Sequence, residues 1–245
     1  MIYDPQFDSY SLQTKLNPTG QGVEHSDKFI YGPAYWEAIN RFPQGTPITL
    51  GLNMAYKAPN FIETIVGQAR ACLKGLTRVK LASFEIGNEP DLWLTNNFRS
   101  GPWDGQSYTQ EFLSRASAIY EQVLKPAGLP STFFEAPATA STIGTTFEVN
   151  DLFQDGITQG VNGSASFVAG WNQHNYFYFV DVSTYQLTLD HLMELVQTED
   201  QFSYWTGQVK QAAATNLPYS SAKWRTLDQW DSKASATLLE QRYGP

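Results

Sequence analysis

The strongest chemical signal in this sequence is a glutamate that directly follows an apolar run. Residues 84–93 read FEIGNEPDLW, so Glu89 stands between Asn88 and Pro90, just after a segment typical of a buried strand. A carboxyl group in a cleft at the end of such a strand can keep its proton at neutral pH, because burial disfavours the charged form. The motif therefore predicts Glu89 as a general acid. The alternative role for Glu89 is a structural salt bridge at the end of the strand.

Other kinds of chemical site have weaker support in the sequence. The three histidines, His25, His174 and His191, lack the spacing of metal ligands. No glycine-rich phosphate loop follows the first strong strand signal. The single cysteine, Cys72, excludes an internal disulfide. We therefore predict no metal and no cofactor.

Composition narrows the classes of partner. The chain has 245 residues, 42% hydrophobic and 14% aromatic, which is ample for a buried core. Its formal net charge of -8 argues against binding nucleic acid or an anionic membrane through a basic patch. No apolar run is long enough to span a membrane. The first residues, MIYDPQFDSYS, lack the basic and apolar regions of a signal peptide, so the chain as written is expected to be cytoplasmic.

Strand and helix signals alternate along most of the chain. Strands are predicted at residues 48–53, 79–88, 132–138 and 166–176, with another beginning at 217. Helices are predicted near residues 33–41, near residue 150, and over residues 189–197 and 202–214. Two more are predicted from capping signals at their starts, one from Asn60 with Glu63 and the other from Ser107 with Gln110. The strands are continuous apolar runs, which is typical of a parallel sheet covered on both faces.

Polar side chains stand where the predicted strands end. They are Asn53, Asn88, Glu89, His174 and Tyr176. A (β/α)8 barrel carries its active site at the carboxyl ends of its strands. A doubly wound open sheet would do the same, but the missing phosphate loop favours the barrel.

Four segments taken in order resemble one known family. The segments GPAYWEAINRFP, ITLGLNM, FEIGNEPDLW and QHNYFY resemble fungal glycoside hydrolase family 79, which contains β-glucuronidases and is related to heparanase. The resemblance covers roughly residues 32–219. It implies a (β/α)8 barrel of the TIM type, retaining hydrolysis of O-glycosyl bonds, and a glucuronide-type carbohydrate as the substrate. Members of the family are typically secreted.

The resemblance also implies roles for individual residues. Glu89 would be the acid/base, and Asn88 would contact the 2-hydroxyl of the sugar. His174 and Tyr176 would line the cleft, with Tyr176 placed to hydrogen-bond the nucleophile. Asn53 and Trp93 complete the predicted substrate-binding set.

The expected nucleophile is missing from the sequence. Retaining glycosidases need two carboxylates about 5 Å apart. The resemblance places the nucleophile in a Gly-Glu pair at the end of the strand that begins LPY, at residue 217. The following SSAKWRTLDQWDSKASATLLEQRYGP has no Gly-Glu, and its one glutamate, Glu240, lies in a stretch typical of a solvated helix. A set of codons compatible with residues from Ser220 onward, read one base earlier after a lost G, can encode VLGEMANS, which resembles the family's nucleophile segment. We therefore expect a frame-shifted tail.

These observations predict three parts and an incomplete barrel. Residues 1–46 form an irregular segment with one helix, residues 47–219 form the central part of the catalytic barrel, and residues 220–245 form a tail unlike the family. The first and last barrel strands are expected to be missing, so the fold class is α/β, an incomplete (β/α)8 barrel. Such a truncated chain without a nucleophile is expected to be inactive.

Two alternatives to an inactive glycosidase stay open. One is a non-catalytic carbohydrate-binding or interaction protein that holds sugar on Trp93, Trp103, Trp171 and Tyr176. The other is a complete glycosidase of a different kind that uses Glu135 as its second carboxylate.

Overall fold

The helices and strands alternate as the sequence predicts. The computed structural model describes residues 2–6, 30–142, 144–161, 165–176, 190 and 193–225. The strands are β1 (Ile2–Tyr3), β2 (Ile30–Tyr31), β3 (Pro47–Leu52), β4 (Lys80–Ile86), β5 (Phe134–Thr139), β6 (Val168–Tyr176) and β7 (Tyr219–Arg225). The helices are α1 (Pro33–Ile39), α2 (Phe61–Gly75), α3 (Gly105–Ile119), α4 (Val149–Gln154) and α5 (Leu195–Ala214).

Five strands form one parallel sheet in sequential order, β3-β4-β5-β6-β7. The two-residue strands β1 and β2 pair separately, also in parallel. Within the described ranges the strand order never reverses, whereas a doubly wound sheet reverses direction at its switch point. Since parallel crossovers are right-handed, this order places the connecting helices on one face of the sheet.

The helical layer is continuous and covers the apolar face of the sheet. Helix α2 packs on α3, α3 on α4, and α4 on α5. The apolar core beneath them includes Phe84 of β4 and Phe134 of β5, both fully buried. Phe112 of α3 is also fully buried, and its ring meets that of Phe134 edge-to-face at 6.2 Å. The burial of these rings fixes α3 against β4 and β5.

The other face of the sheet carries polar side chains. Thr49, Ser83, Glu85 and Glu135 occupy the alternate positions of β3, β4 and β5, and Thr49 lies opposite Ser83 in the register. The expectation of strands that are apolar on both faces is therefore wrong for these three strands. They alternate because one face packs on helices while the other satisfies its polar groups by mutual hydrogen bonds.

Two predicted helix starts differ in detail. Asn60 makes no side-chain capping bond; its Oδ1 instead accepts a hydrogen bond from the Tyr56 hydroxyl at 3.0 Å. Helix α3 begins at Gly105, because the Asp104 carboxylate accepts a hydrogen bond from the Ser107 N–H at 2.8 Å. The two helices predicted near the end of the chain are one, α5, and residue 189 lies outside the described residues. No helix in the described ranges is long and apolar enough to cross a membrane.

Replacing Phe112 with alanine tests the packing of α3 on the sheet. We expect Phe112→Ala to lower the free energy of unfolding by about 3–5 kcal/mol, because it leaves a cavity beneath a fully buried ring. Urea denaturation followed by circular dichroism measures this change. Phe42→Ala is the control, since that ring is 52% exposed and its loss should cost little. Equal losses in the two variants would contradict the described core.

Candidate active site

The turn after β4 presents Glu89 in a backbone conformation that glutamate rarely adopts. Gly87 has φ +93°, and a Cβ there would lie 3.3 Å from the Trp93 ring, so glycine is required. Glu89 has φ 51° and ψ 55°, in the left-handed region. For a residue with a side chain this conformation costs roughly 1–2 kcal/mol. The surrounding structure must hold it, and such residues concentrate at functional sites.

Two tryptophans hold this turn from both sides of Glu89. The Trp93 indole N–H donates to the carbonyl of Asn88 at 2.9 Å, and the Trp103 indole N–H donates to the carbonyl of Pro90 at 2.7 Å. The two rings stack with centroids 5.3 Å apart. The Arg99 guanidinium lies 4.5 Å from the Trp93 ring centroid and 4.9 Å from that of Trp103. We call Trp93, Trp103 and Arg99 the indole clamp.

The clamp corrects the predicted role of Trp93. Its side chain is 1% exposed, so almost no surface remains for a sugar. Trp103 is also buried, and Trp171 is fully buried with its indole N–H donating to the Thr215 hydroxyl at 2.8 Å. Three of the four aromatics proposed for a non-catalytic sugar cleft are therefore core residues. Tyr176 is the last residue of β6, and its side chain lies outside the described residues.

The structure brings Glu89 and His174 together, although 85 residues separate them in sequence. The Nδ1 atom of His174 lies 2.8 Å from Oε1 of Glu89. The imidazole is fully buried, whereas the Glu89 side chain is 19% exposed. Nδ1 can donate a proton to the carboxylate or accept one from the carboxyl group. The contact thus orients Glu89 in both of its protonation states, and part of the Glu89 side chain remains exposed.

The two predicted asparagines occupy different surroundings. Asn88 has an exposed side chain beside Glu89. Asn53 follows β3, and its side-chain oxygen accepts a hydrogen bond from the Tyr56 N–H at 3.3 Å. The N–H of Asn53 donates to the side chain of Gln68 at 3.0 Å. Asn53 therefore shapes its own turn, and Asn88 is the better placed of the two to meet a ligand at Glu89.

Asp91 also belongs to the site, although it is not among the site residues predicted from the sequence. Its carboxylate accepts hydrogen bonds from the N–H groups of Ala140 and Ser141, at 2.9 and 3.0 Å, in the loop after β5. Burial, with a contribution from the nearby charge of Glu89, raises the pKa of Asp91 to about 6. The signal in the sequence that could have identified Asp91 is its position directly after Asn-Glu-Pro. In the structure Asp91 lies in the 3-10 turn Pro90–Leu92.

Two further carboxylates on the polar face of the sheet share one amide. The side-chain N–H groups of Asn172 donate to Glu85 at 2.9 Å and to Glu135 at 3.3 Å. Glu135 also accepts a hydrogen bond from the Ser83 hydroxyl at 2.6 Å. Glu135 is therefore satisfied by structural partners, which weighs against its use as a nucleophile. The described ranges contain no cluster of three or more histidine, cysteine or acidic side chains that could hold a metal ion.

Asn172 also connects this network to Glu89. Its side-chain oxygen accepts a hydrogen bond from the N–H of Ala138 at 2.9 Å. The carbonyl of Ala138 in turn accepts the Glu89 N–H at 2.9 Å. Ala138 itself has φ 56°, so two left-handed residues on neighbouring strand ends stabilise each other.

The raised pKa of Asp91 predicts a pH dependence of stability. Its ordinary value is 3.8 and its folded value is about 6. Because the folded value is the higher one, the stabilisation is fully present below about pH 4 and is lost as pH rises through about 6. We expect the deprotonation of Asp91 to lower the free energy of unfolding by about 2–3 kcal/mol as the pH rises from about 4 to about 7.

Urea denaturation across this pH range measures that dependence. Asp91→Asn should remove the change, whereas Asp200→Asn, at an exposed position of α5, should leave it in place. A pH dependence that is identical in the parent chain and in Asp91→Asn would contradict the assignment.

Comparisons with known proteins agree with the motifs. No family model matches the chain. A β-glucuronidase from Aspergillus niger is 27% identical over 181 residues, which cover 71% of this chain and 31% of that protein. A solved structure of a 4-O-α-L-rhamnosyl-β-D-glucuronidase from Fusarium oxysporum 12S, in complex with Rha-GlcA, matches with a TM-score of 0.61 and 17% identity. That match covers 89% of this chain and 42% of the solved one.

The chain thus spans about a third of the curated relative and less than half of the solved chain. The structural match shows a shared fold, and the sequence match shows a relationship over most of the present chain. The resemblance to fungal glycoside hydrolase family 79 is thereby confirmed: over most of its length this chain is similar in sequence to a fungal β-glucuronidase.

Proposed function

We propose that this chain is the acid/base-bearing part of a retaining β-glucuronidase-type glycosidase, with Glu89 as the acid/base. The observation that carries the proposal is the contact between Glu89 and His174 at the carboxyl edge of a parallel sheet. A general acid must be held in place and must keep access to the substrate. Glu89 meets both needs, since it is fixed by a buried imidazole and partly exposed.

The sheet supports a barrel as the parent fold. Its strands run in sequential order, with helices on one face and interacting polar side chains on the other. In a closed (β/α)8 barrel the polar face would form the interior, and β3–β7 would be the third to seventh strands. Glu89 would then follow the fourth strand at the end where such barrels carry their active sites.

The proposed reaction uses Glu89 twice. It first protonates the leaving glycosidic oxygen while a second carboxylate attacks the sugar to form a covalent intermediate. As the resulting carboxylate it then removes a proton from the water that releases the sugar. The Asn88 side chain, exposed beside Glu89, would hydrogen-bond the 2-hydroxyl of a glucuronide-type substrate.

The register of β7 suggests where the second carboxylate of the parent would lie. Lys223 is the register partner of His174, the residue that contacts Glu89. In the shifted reading of the tail, the Gly-Glu pair falls on the positions of Ala222 and Lys223. Neighbouring strands lie about 4.8 Å apart, so a glutamate at this position would approach the acid/base. This agreement supports the frame-shift hypothesis.

The carboxylates described near Glu89 are engaged elsewhere. Asp91 accepts two backbone N–H groups, and Glu85 and Glu135 share the Asn172 amide. Glu240 lies outside the described residues. We therefore propose that this chain, as it stands, does not hydrolyse glycosides.

An assay with a chromogenic β-glucuronide tests the activity of the chain. We expect a turnover rate at least about 10⁴-fold below that of a β-glucuronidase measured in parallel, because loss of a nucleophile removes most of the rate. Glu89→Gln is the matched control and should not lower the residual rate further. Turnover that Glu89→Gln abolishes would reveal a nucleophile within this chain. Glucuronide binding without turnover, lost in Asn88→Ala, would instead favour the carbohydrate-binding alternative.

Sequencing the transcript across the Tyr219 codon tests the frame shift independently. We expect the bases encoding residues 220–223, read one position earlier and with one lost G restored before them, to specify Val-Leu-Gly-Glu. The measurement needs no folded protein, so its result is independent of the assay. Codons that cannot give Gly-Glu in that frame would refute the hypothesis.

A further inference from the structure

A groove between α2 and α3 gathers positive charge on a chain that is acidic overall. The groove has a volume of about 330 Å³ and is lined by Lys57, Phe61, Gln110, Glu111, Ser114 and Arg115. Its volume is at the lower end of the range for small-molecule sites. Lys57 belongs to the loop after β3, so the groove opens near the carboxyl end of the sheet but among the helices. Glu89, His174 and Asn88 of the candidate active site do not line it.

Three cations in and behind this groove face a single carboxylate. Glu111 lies within 4 Å of Lys57, Arg99 and Arg115, with closest contacts of 3.8, 2.6 and 3.1 Å. No other acidic group of the described residues forms an ion pair with these three cations. One carboxylate cannot neutralise three charges. The groove therefore keeps a positive excess, although the formal net charge of the chain is -8.

Two of the three cations keep hydrogen-bonding capacity. Lys57 is 53% exposed, and its 3.8 Å separation from Glu111 is too long for a good hydrogen bond. The Arg115 side chain is 4% exposed, yet its Nε–H is buried without an acceptor among the described residues. Arg99 differs, because it donates to Glu111 and to the carbonyls of Met54, Ala55 and Phe98.

The electrostatics of the two cations favour the binding of an anion. Desolvation and the charge of Arg99 lower the pKa of Lys57, against the opposing effect of Glu111. Desolvation lowers the pKa of Arg115 to about 10, against the opposing effect of Glu111 and with a smaller contribution from Arg99. Each cation is thus destabilised where it stands, and an oxyanion between them would relieve that destabilisation.

The wall beside these cations is apolar. The Arg115 guanidinium lies 4.6 Å from the centroid of the Phe61 ring, which is half-buried and borders the groove. Gln110 and Ser114 add exposed hydrogen-bonding side chains along α3. Oxyanion, apolar surface and hydroxyl groups occur together in an acidic sugar, and rings like that of Phe61 contact the apolar faces of sugars.

We propose that the groove is a second binding site, which takes an oxyanion, a carboxylate or a sulfate, of the kind borne by acidic sugars. The anion lies between Lys57 and Arg115 beside Phe61. This inference does not depend on the role of Glu89, because the groove has its own residues and its own charges.

The test is a titration of the folded chain with sodium glucuronate, with sodium sulfate and with neutral glucose. Calorimetry gives the affinity, and the NMR signal of the Arg115 Nε–H reports on the groove itself. We expect both anions to shift this signal saturably and glucose to leave it unchanged. Tighter binding of glucuronate than of sulfate identifies the carboxylate on a sugar as the ligand, and the reverse identifies the sulfate group.

Two lysine variants decide whether the groove recognises the anion. Lys57→Gln should weaken binding by at least about tenfold, because it removes one close charge. Lys74→Gln makes the same change at an exposed position at the other end of α2 and should have no effect. The Arg115 response should persist in Glu89→Gln, which separates this site from the proposed active site. An unmoved Arg115 signal, an equal response to glucose, or unchanged affinity in Lys57→Gln would overturn the proposal.

Discussion

One backbone hydrogen bond, from the N–H of Glu89 to the carbonyl of Ala138, underlies the candidate site. It joins the ends of β4 and β5, and both of its residues have left-handed backbone conformations. Each is unfavourable alone, so neither would persist without support. The support comes from the indole clamp on one side and from the Asn172 side chain on the other. The unfavourable backbone conformation therefore persists at Glu89, where it fixes the direction of the carboxyl group.

The polar face of the sheet explains how this support reaches the turn. Asn172 donates to two carboxylates and accepts from the Ala138 N–H, so it links three strands through one side chain. Buried polar groups are costly unless they are hydrogen-bonded, and this network satisfies its members mutually. It also fixes the register of β4, β5 and β6 near their carboxyl ends. The acid/base candidate thus stands on a network of polar contacts rather than on apolar packing alone.

Arg99 connects the candidate site to the groove between α2 and α3. Its guanidinium lies over both rings of the indole clamp and forms a close pair with Glu111 in the groove wall. The same carboxylate faces Lys57 and Arg115. Positive charge is therefore concentrated around one acidic group next to the structure that positions Glu89. This concentration favours anionic ligands on a chain whose overall charge would repel them.

The local features of this protein could be predicted from its sequence. Alternating helices and strands follow from apolar periodicity, and the turn at Glu89 follows from the glycine and proline around it, because these signals act over a few residues. They also carried the resemblance to β-glucuronidases, which the comparisons confirm. Some local signals are ambiguous, however. The sequence predicts Ser107 as the cap of α3, whereas in the structure Asp104 caps this helix.

The contacts between residues far apart in the sequence could not be predicted in this way, because they depend on how the whole chain folds. The contact of His174 with Glu89 forms where the strand register is irregular, with shifts between Pro137 and Thr139 and between Gln173 and His174. Such irregularities re-aim side chains, and no spacing in the sequence announces them. The role of Trp93 likewise depends on its burial. Its side chain stabilises the turn at Glu89 and has almost no exposed surface for binding a sugar. An aromatic residue looks the same in a sequence whether it lines a cleft or fills a core, because only the packing of other elements determines its exposure.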